Sequence, residues 1–289
     1  MSYKSKADVL LEALPYFQEF RGQTVVIKYG GAAMEDPGLV RSVLRDVVFL
    51  ETVGINPVVV HGGGKAITAA MKKENLAAKF VDGQRVTDAA SIAIIDWVLG
   101  GVIGPALVQE LQKQGGRAQV VSGKDVLVAQ KAPLYVDAAG KKVDLGFVGD
   151  VISVSVDAVQ KLIDAEIVPV ISPLARGTDG QIYNVNADIA AAQIARALKA
   201  SKIIYLSDVN GVRRDPKDSG SLIPSLNPAQ IAKLKKDGVI AGGMIPKVDS
   251  ALECLANGVG KVHFLDGREG HALLLELFTD AGVGTEIAG

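Results

Sequence analysis

One stretch does most to limit what this chain can become: residues 55–65, Ile-Asn-Pro-Val-Val-Val-His-Gly-Gly-Gly-Lys. The β-branched run Val58, Val59 and Val60 favours a strand buried on both faces. Gly62, Gly63 and Gly64 end it, and a helical pattern follows from Lys65. Glycine lacks a Cβ, so a ligand can approach the backbone and positive φ costs little. The first turn of the following helix leaves N–H groups unpaired and carries the positive end of its dipole. Strand, glycine turn and helix start together make an anion-binding device. Residues 25–31, VVIKYGG, repeat the arrangement with Lys28 near the end of the strand. A single Gly-Gly pair is as often a plain connection. Two such cradles, one carrying a cation, point to phosphate chemistry.

The common phosphate-binding loops do not fit. G-x-x-x-x-G-K-[ST] needs a hydroxyl after the lysine, but Lys65 precedes Ala66 and Lys124 precedes Asp125. G-x-G-x-x-G is missing at both glycine turns, which disfavours a nicotinamide-dependent dehydrogenase. The H-R-D and D-F-G elements of protein kinases are missing too. Three histidines, at 61, 263 and 271, without H-E-x-x-H or paired-cysteine spacing, argue against a zinc site and leave His61 a structural role.

Apolar β-branched runs alternate with helical patterns over most of the 289 residues. Strands are expected at 24–29, 57–61, 119–121, 126–130, 167–171, 203–207 and 261–265. Helices are expected at 37–53, 65–74, 89–99, 102–114, 156–164, 188–199, 228–236, 247–256 and 268–278. Hydrophobic strands separated by helices imply an α/β fold, an αβα sandwich with a central, mainly parallel sheet. Residues 132–154 break the rhythm and read as a hairpin followed by an irregular, ligand-facing segment. In open α/β sheets ligands gather at the carboxyl ends of the strands. A net charge of −1, from 31 basic and 32 acidic residues, gives no footprint for nucleic acid. Cys254 is the only cysteine, so no internal disulfide forms and a reducing compartment is expected. The first residues lack a signal-type apolar core, and no run approaches roughly 18 apolar residues. A cytoplasmic protein that does not engage a membrane is the expectation.

Three polar groups stand close together in YNVNAD (183–188). Asn184 and Asn186 project to one side of an extended segment, and Asp188 falls in the first turn of the next helix. Helix capping would use some of these groups but not all three. Lys247, in GGMIPK (242–247), stands near a helix start, where a cation is unfavourable unless an anion faces it. Arg85, in GQRVT (83–87), has a planar fork suited to a carboxylate, though a solvated surface role explains it equally well.

Taken in order, IKYGGAAM (27–34), VVVHGGGKAI (58–67), GQRVT (83–87), DLGFVGDV (144–151), YNVNAD (183–188), LSDVNGV (206–212) and GGMIPKV (242–248) resemble the amino acid kinase family. They span nearly the whole chain. DLGFVGDV and NVNAD are most similar to the branch acting on N-acetyl-L-glutamate. The resemblance implies the amino acid kinase fold with two lobes: 23–196 for the acyl substrate and 197–289 for ATP, which arrives with Mg2+. It implies that Lys28 and Lys247 stabilise the transferring phosphoryl group and that Asp188 orients them. Gly63, Gly64, Arg85, Asn184 and Asn186 become contacts to acetylglutamate. Gly31 and Gly62 would offer N–H groups to phosphate, and Ser207, Asp208, Val209 and Gly211 would begin the nucleotide pocket. No metal is held by the protein itself. The implied reaction phosphorylates the γ-carboxylate of N-acetyl-L-glutamate in arginine biosynthesis. A sibling kinase acting on carrier-linked aminoadipate in lysine synthesis is the nearest alternative. A non-catalytic arginine-sensing scaffold would be expected to lack a phosphate lysine, yet both are present.

Residues 1–22 form an extension with apolar residues at 9, 10, 13, 14, 17 and 20, close to helical spacing, and Pro15 as a kink. It resembles the N-terminal helix of arginine-inhibited members, which interlaces dimers into a hexamer, a trimer of dimers. By the same resemblance Tyr16, His263, Glu276 and Gly282 fall at an allosteric L-arginine site. Glu286 departs from that subgroup, which usually has Met there. A PII-type nitrogen-signalling protein is a further candidate partner.

Overall fold

The β-branched runs do assemble into one sheet. The structure, a computed structural model, describes residues 3–215, 217–279 and 282–289, with only the backbone of 3–6 and 219. Eight strands lie side by side in the order Ser225–Leu226, Thr285–Ala288, Lys261–Asp266, Lys202–Ser207, Thr24–Tyr29, Asn56–His61, Val168–Ile171 and Ala118–Val121. Only Lys261–Asp266 with Thr285–Ala288 is antiparallel; the other pairs are parallel.

Side chains alternate across each strand. Val26, Val58, Val60, Ile203 and Val262 face one apolar layer, with Ala190–Ala192, Val248 and Ala251 from two helices. Val25, Ile27, Val59, Ile204 and Leu265 face the other, against Leu44, Val47, Leu107 and Leu273. Both faces are thus covered, as expected of near-continuously hydrophobic strands.

A second sheet of four strands, Ile182–Asn184, Leu174–Gly177, Leu127–Lys131 and Gly149–Val154, stands beside the first. Most of it carries little periodic signal and was not foreseen. Antiparallel Tyr135–Val136 and Lys142–Val143 form the expected hairpin. A further unforeseen hairpin, Lys79–Val81 with Gln84–Val86, carries Arg85.

Two expectations need correction. Residues 89–99 and 102–114 are not separate helices but one, Ala89–Lys113, with a π-turn at Trp97–Ile103 where Gly100 and Gly101 had suggested a break. By length and mean hydropathy (1.9) this helix could cross a membrane, contrary to the expectation that no segment approaches one. Its first half, however, carries Ile95 and Leu99 into one apolar cluster, and its second half carries Leu107 and Leu111 into another. Asp96 on the same helix pairs with Lys124 at 2.6 Å. The last helix is also shorter than expected, at Ala272–Leu277.

The N-terminal helix covers Tyr3–Phe20 with Pro15 inside it; residues 1–2 of the expected extension lie outside the described residues. Its final turn docks by aromatic packing. Phe278 lies 5.0 Å from Phe17 and 5.8 Å from Phe49 between ring centroids, both edge-on. Leu10 and Leu11 remain 65% and 64% exposed, so the rest of the helix buries little on this chain. Phe278→Ala should therefore cost about 3 kcal/mol or more and free the helix for cleavage. Chemical denaturation and limited proteolysis measure both, and an equally protected helix would show that the docking lies elsewhere.

Candidate active site

The carboxyl ends of Thr24–Tyr29 and Asn56–His61 open onto a cavity of about 290 Å³. Lys28, Gly31, Gly62, Gly63, Gly64 and Arg85 line it from one part of the chain; Asn184, Asn186 and Asp188 come from another. Lys28 Nζ lies 2.8 Å from Asp188 Oδ1, and the lysine side chain is 13% exposed. Asp188 stands in the first turn of the helix Ala187–Ala197, where the dipole favours a carboxylate. Asn186 is the cap of that helix, its Oδ1 accepting from the Asp188 N–H at 2.8 Å. Asn184 donates weakly to Thr87 Oγ1 at 3.4 Å, leaving most of its hydrogen-bonding capacity toward the cavity. Capping thus absorbs one oxygen of the cluster and leaves the other groups to the site.

Lys247 stands in the first turn of Met244–Ala256, with Nζ 3.4 Å from Ser207 Oγ. Burial lowers its pKa, Asp188 and Asp208 oppose that, and Lys28 pushes it down further. Lys247 therefore feels both Asp188 and Lys28, the latter 219 residues away in sequence (247 − 28), although it lines neither this cavity nor the one beside Asp208.

Arg85 is not a solvated surface arginine. It is 8% exposed. Its Nη2 donates to Gly64 O and Thr68 Oγ1, both at 2.8 Å. The guanidinium lies 4.6 Å from the Phe80 ring centroid. No carboxylate among the described residues pairs with it, and burial lowers its pKa. A buried, unneutralised cation at a cavity wall is costly unless an anion completes it.

The two glycine turns differ. Gly31 has φ of +74°, and a Cβ there would lie 2.7 Å from Asp208 Oδ1, so only glycine fits. The same oxygen accepts from the Ala32 N–H at 2.9 Å, tying this turn to the strand Lys202–Ser207. Gly62 lines the cavity, but its N–H already donates to Tyr29 O at 2.7 Å. The N–H that the resemblance assigned to phosphate is spent on the sheet in this conformation. His61 is fully buried, with Nδ1 2.9 Å from Gly62 O, and burial lowers its pKa to about 4.

Asp208, Val209 and Gly211 line a second cavity of about 570 Å³. Ser207 does not; it lies under Lys247. Arg213, Arg214 and Arg268 also line this cavity and were missed, although Arg213 and Arg214 follow LSDVNGV directly. Arg268 donates to Asp208 O at 3.0 Å and pairs with Asp266 at 2.7 Å. Among the described residues, no group of three or more His, Cys, Asp or Glu could hold a metal ion.

Elsewhere, His263, Glu276 and Gly282 come together. His263 Nδ1 lies 2.7 Å from Glu276 Oε1, while Glu276 Oε2 accepts from the N–H groups of Val283 (2.8 Å) and Gly284 (3.0 Å). Burial raises the Glu276 pKa, but these bonds outweigh it and hold the group below its ordinary value. Gly282 adjoins the carboxylate, since a Cβ there would lie 2.8 Å from Oε2. Tyr16 packs on Phe20 at 6.4 Å, and Lys202 Nζ sits 4.7 Å over the Phe20 ring. Lys202 had not been singled out, because a lysine opening a hydrophobic strand carries no distinguishing signal.

The sequence profile described as the amino acid kinase family matches residues 23–266. Acetylglutamate kinase of Syntrophomonas wolfei is 45% identical over 99% of this chain and 98% of its own length. The protein of the same name from Desulfitobacterium hafniense is 49% identical over 97% of this chain and 96% of its own length. N-acetylglutamate synthase from Neisseria gonorrhoeae, solved with coenzyme A and L-arginine, superimposes with a TM-score of 0.80 at 26% identity. The match covers all of this chain but only 66% of that longer one. Giardia carbamate kinase, at 17% identity, 92% coverage of this chain and 99% of its own, and a TM-score of 0.66, shares the fold.

His61 makes stability pH-dependent. Its folded value of about 4 lies below the ordinary 6.5, so between them the unfolded chain binds one proton more. Stability should fall as the pH drops through that window, by up to about 3 kcal/mol at 1.36 kcal/mol per unit. In urea titrations at several pH values, His61→Gln is expected to show a flatter profile than the parent. Equal slopes would remove His61 as the cause.

Proposed function

The chain belongs to the amino acid kinase family, and from that premise we propose that it transfers the γ-phosphoryl group of ATP to the γ-carboxylate of N-acetyl-L-glutamate. The product is N-acetyl-L-glutamyl 5-phosphate, an intermediate of arginine biosynthesis. The observation that carries this reading is the Lys28–Asp188 pair at 2.8 Å in a cavity that also holds the unpaired Arg85.

The acceptor carboxylate is already ionised at neutral pH, so no general base is required. One of its oxygens forms the new bond to the γ-phosphorus as the bridging P–O bond to ADP breaks. What the protein must supply is alignment and neutralisation of charge on the moving group. Lys28 and Lys247 do so as compact point charges from two sides. Asp188 fixes Lys28 and partly offsets the repulsion between the two lysines. Arg85 takes the α-carboxylate, and Asn184 and the Gly63–Gly64 backbone orient the acyl amide. Asp208, Val209 and Gly211, with Arg213 and Arg268, face the nucleotide. This supports assigning 23–196 to the acyl substrate and 197–289 to ATP, across one continuous sheet. Mg2+ is expected to arrive on the triphosphate and to supply further neutralisation there.

Feedback inhibition by L-arginine belongs to the same proposal. It is supported by the gathering of His263, Glu276 and Gly282, and by the likeness to a synthase solved with L-arginine. A homo-oligomer is supported by two apolar surfaces. Val9, Leu10 and Leu11 are exposed on the N-terminal helix, and Trp97 (62% exposed) and Val102 on Ala89–Lys113. Assembly as a hexamer, a PII-type partner and a cytoplasmic location follow from the resemblance alone.

In a coupled ATP-consumption assay, Lys28→Ala should lose roughly 100-fold or more in kcat with a much smaller change in KM for acetylglutamate. An unchanged kcat would remove Lys28 from the mechanism. Deleting residues 1–22 should leave active dimers that arginine no longer inhibits, read by sedimentation and the same assay. A hexamer still inhibited by arginine would contradict the regulatory part.

A further inference from the structure

The helix Ala89–Lys113 changes phase partway along. Its buried residues fall at 91, 95, 98 and 99, then at 104, 107 and 111. At about 3.6 residues per turn the first set would continue near 102 and 105–106, yet those positions are exposed. The π-turn Trp97–Ile103 inserts the extra residue that rotates the stripe. Such turns are rare and are found frequently at functional sites.

Within this turn Leu99 and Ile103, four residues apart and so on one helix face, both reach one glycine of the site. A Cβ at Gly63 would lie 2.6 Å from Leu99 Cδ2 and 2.6 Å from Ile103 Cδ1. Leu99 is 1% exposed and forms part of the wall of the 290 Å³ cavity. Ile67, which also lines the cavity, and Met71, Ile95, Val98 and Leu174 pack with it in one cluster. Ile95, Met71 and Leu174 are, like Leu99, at most 1% exposed, so the wall on that side is closed and packed. By contrast Phe80, another apolar lining group, is 52% exposed.

Resting on the phosphotransferase reading above, we infer that Leu99, seated against Gly63 on the cavity wall, limits the acyl chain of the acceptor to acetyl. The acceptor has three ends. Two are carboxylates, which the Lys28 and Arg85 cations claim. The third, the acyl methyl, is apolar and is matched by the closed apolar wall at Leu99. One more methylene would have to displace a side chain that is locked between Gly63 and the cluster behind it.

The test compares kcat/KM for N-acetyl-, N-propionyl- and N-butyryl-L-glutamate in the parent, Leu99→Ala, Leu99→Val and Val148→Ala. Val148 lines the same cavity from another segment. The parent should disfavour propionyl over acetyl by roughly 10- to 200-fold. Leu99→Ala should raise the propionyl-to-acetyl ratio by about tenfold or more, and Leu99→Val should raise it less. Leu99→Val also serves if the alanine variant fails to fold. A parent indifferent to chain length, or a ratio that moves with Val148→Ala and not with the Leu99 variants, overturns the inference. A parent inactive on all three acceptors overturns the phosphotransferase reading, and this inference with it.

Discussion

The site depends on one ion pair, Lys28 with Asp188. Each partner is anchored by backbone: the lysine by a central strand hydrogen-bonded on both sides, the aspartate by the first turn of a capped helix. Their contact joins the sheet to that helix at the cavity floor. It also makes Lys247 tolerable. An ammonium at a helix start works against the dipole, and here it is half-buried and feels a second lysine. Asp188 and Asp208 offset part of that cost, and the burial penalty that still holds the Lys247 pKa down is what an entering anion would relieve.

At Arg85 a cation does stand without a carboxylate, since its partners are a carbonyl, a hydroxyl, a thioether and an aromatic face. Arg85 without a carboxylate, Lys28 with Asp188, and apolar surface at Leu99 and Ile67 on the cavity wall suit an anionic ligand with an apolar appendage. Interactions that strengthen as charge develops on a transferring group raise the rate, whereas those equal in ground and transition states do not. Lysines held by a fixed aspartate are of the first kind because they need no reorganisation as the reaction proceeds.

How much of this was legible in the sequence depends on the length of the signal. Strands such as Thr24–Tyr29 and Lys202–Ser207 were plain, because buried parallel strands are continuous β-branched runs. Lys247 was legible because a cation at a helix start runs against the dipole; Lys28 and Asp188 were legible from a glycine cradle and from a cluster of polar groups larger than one cap requires. The short strands Ile182–Asn184 and Gln84–Val86 were hidden, since three residues carry no period. The π-turn was read as a break because Gly100-Gly101 looks like punctuation, yet the helix runs on, each half packed in its own apolar cluster. Gly62 misled in another way. A glycine after a strand looks free to bind phosphate, but whether its N–H is available depends on the Tyr29 carbonyl of the neighbouring strand.

The cluster around Glu276 shows how a distant ligand could be felt. Both carboxylate oxygens are engaged, one by His263 and the other by the N–H groups of Val283 and Gly284. On the proposed reading, a guanidinium arriving there gains only where it improves on those bonds, so its binding energy is coupled to the loop that supplies them. Glu276 lies in the short helix Ala272–Leu277, followed directly by Phe278. Phe278 is the residue on which Phe17 and Phe20 of the N-terminal helix rest. A shift of that short helix therefore reaches the N-terminal helix through aromatic contacts, which are either packed or lost rather than continuously deformable. The regulatory ligand would then act on the mobility and docking of a surface helix rather than on Lys28 or Lys247, leaving the charge arrangement of the active site intact.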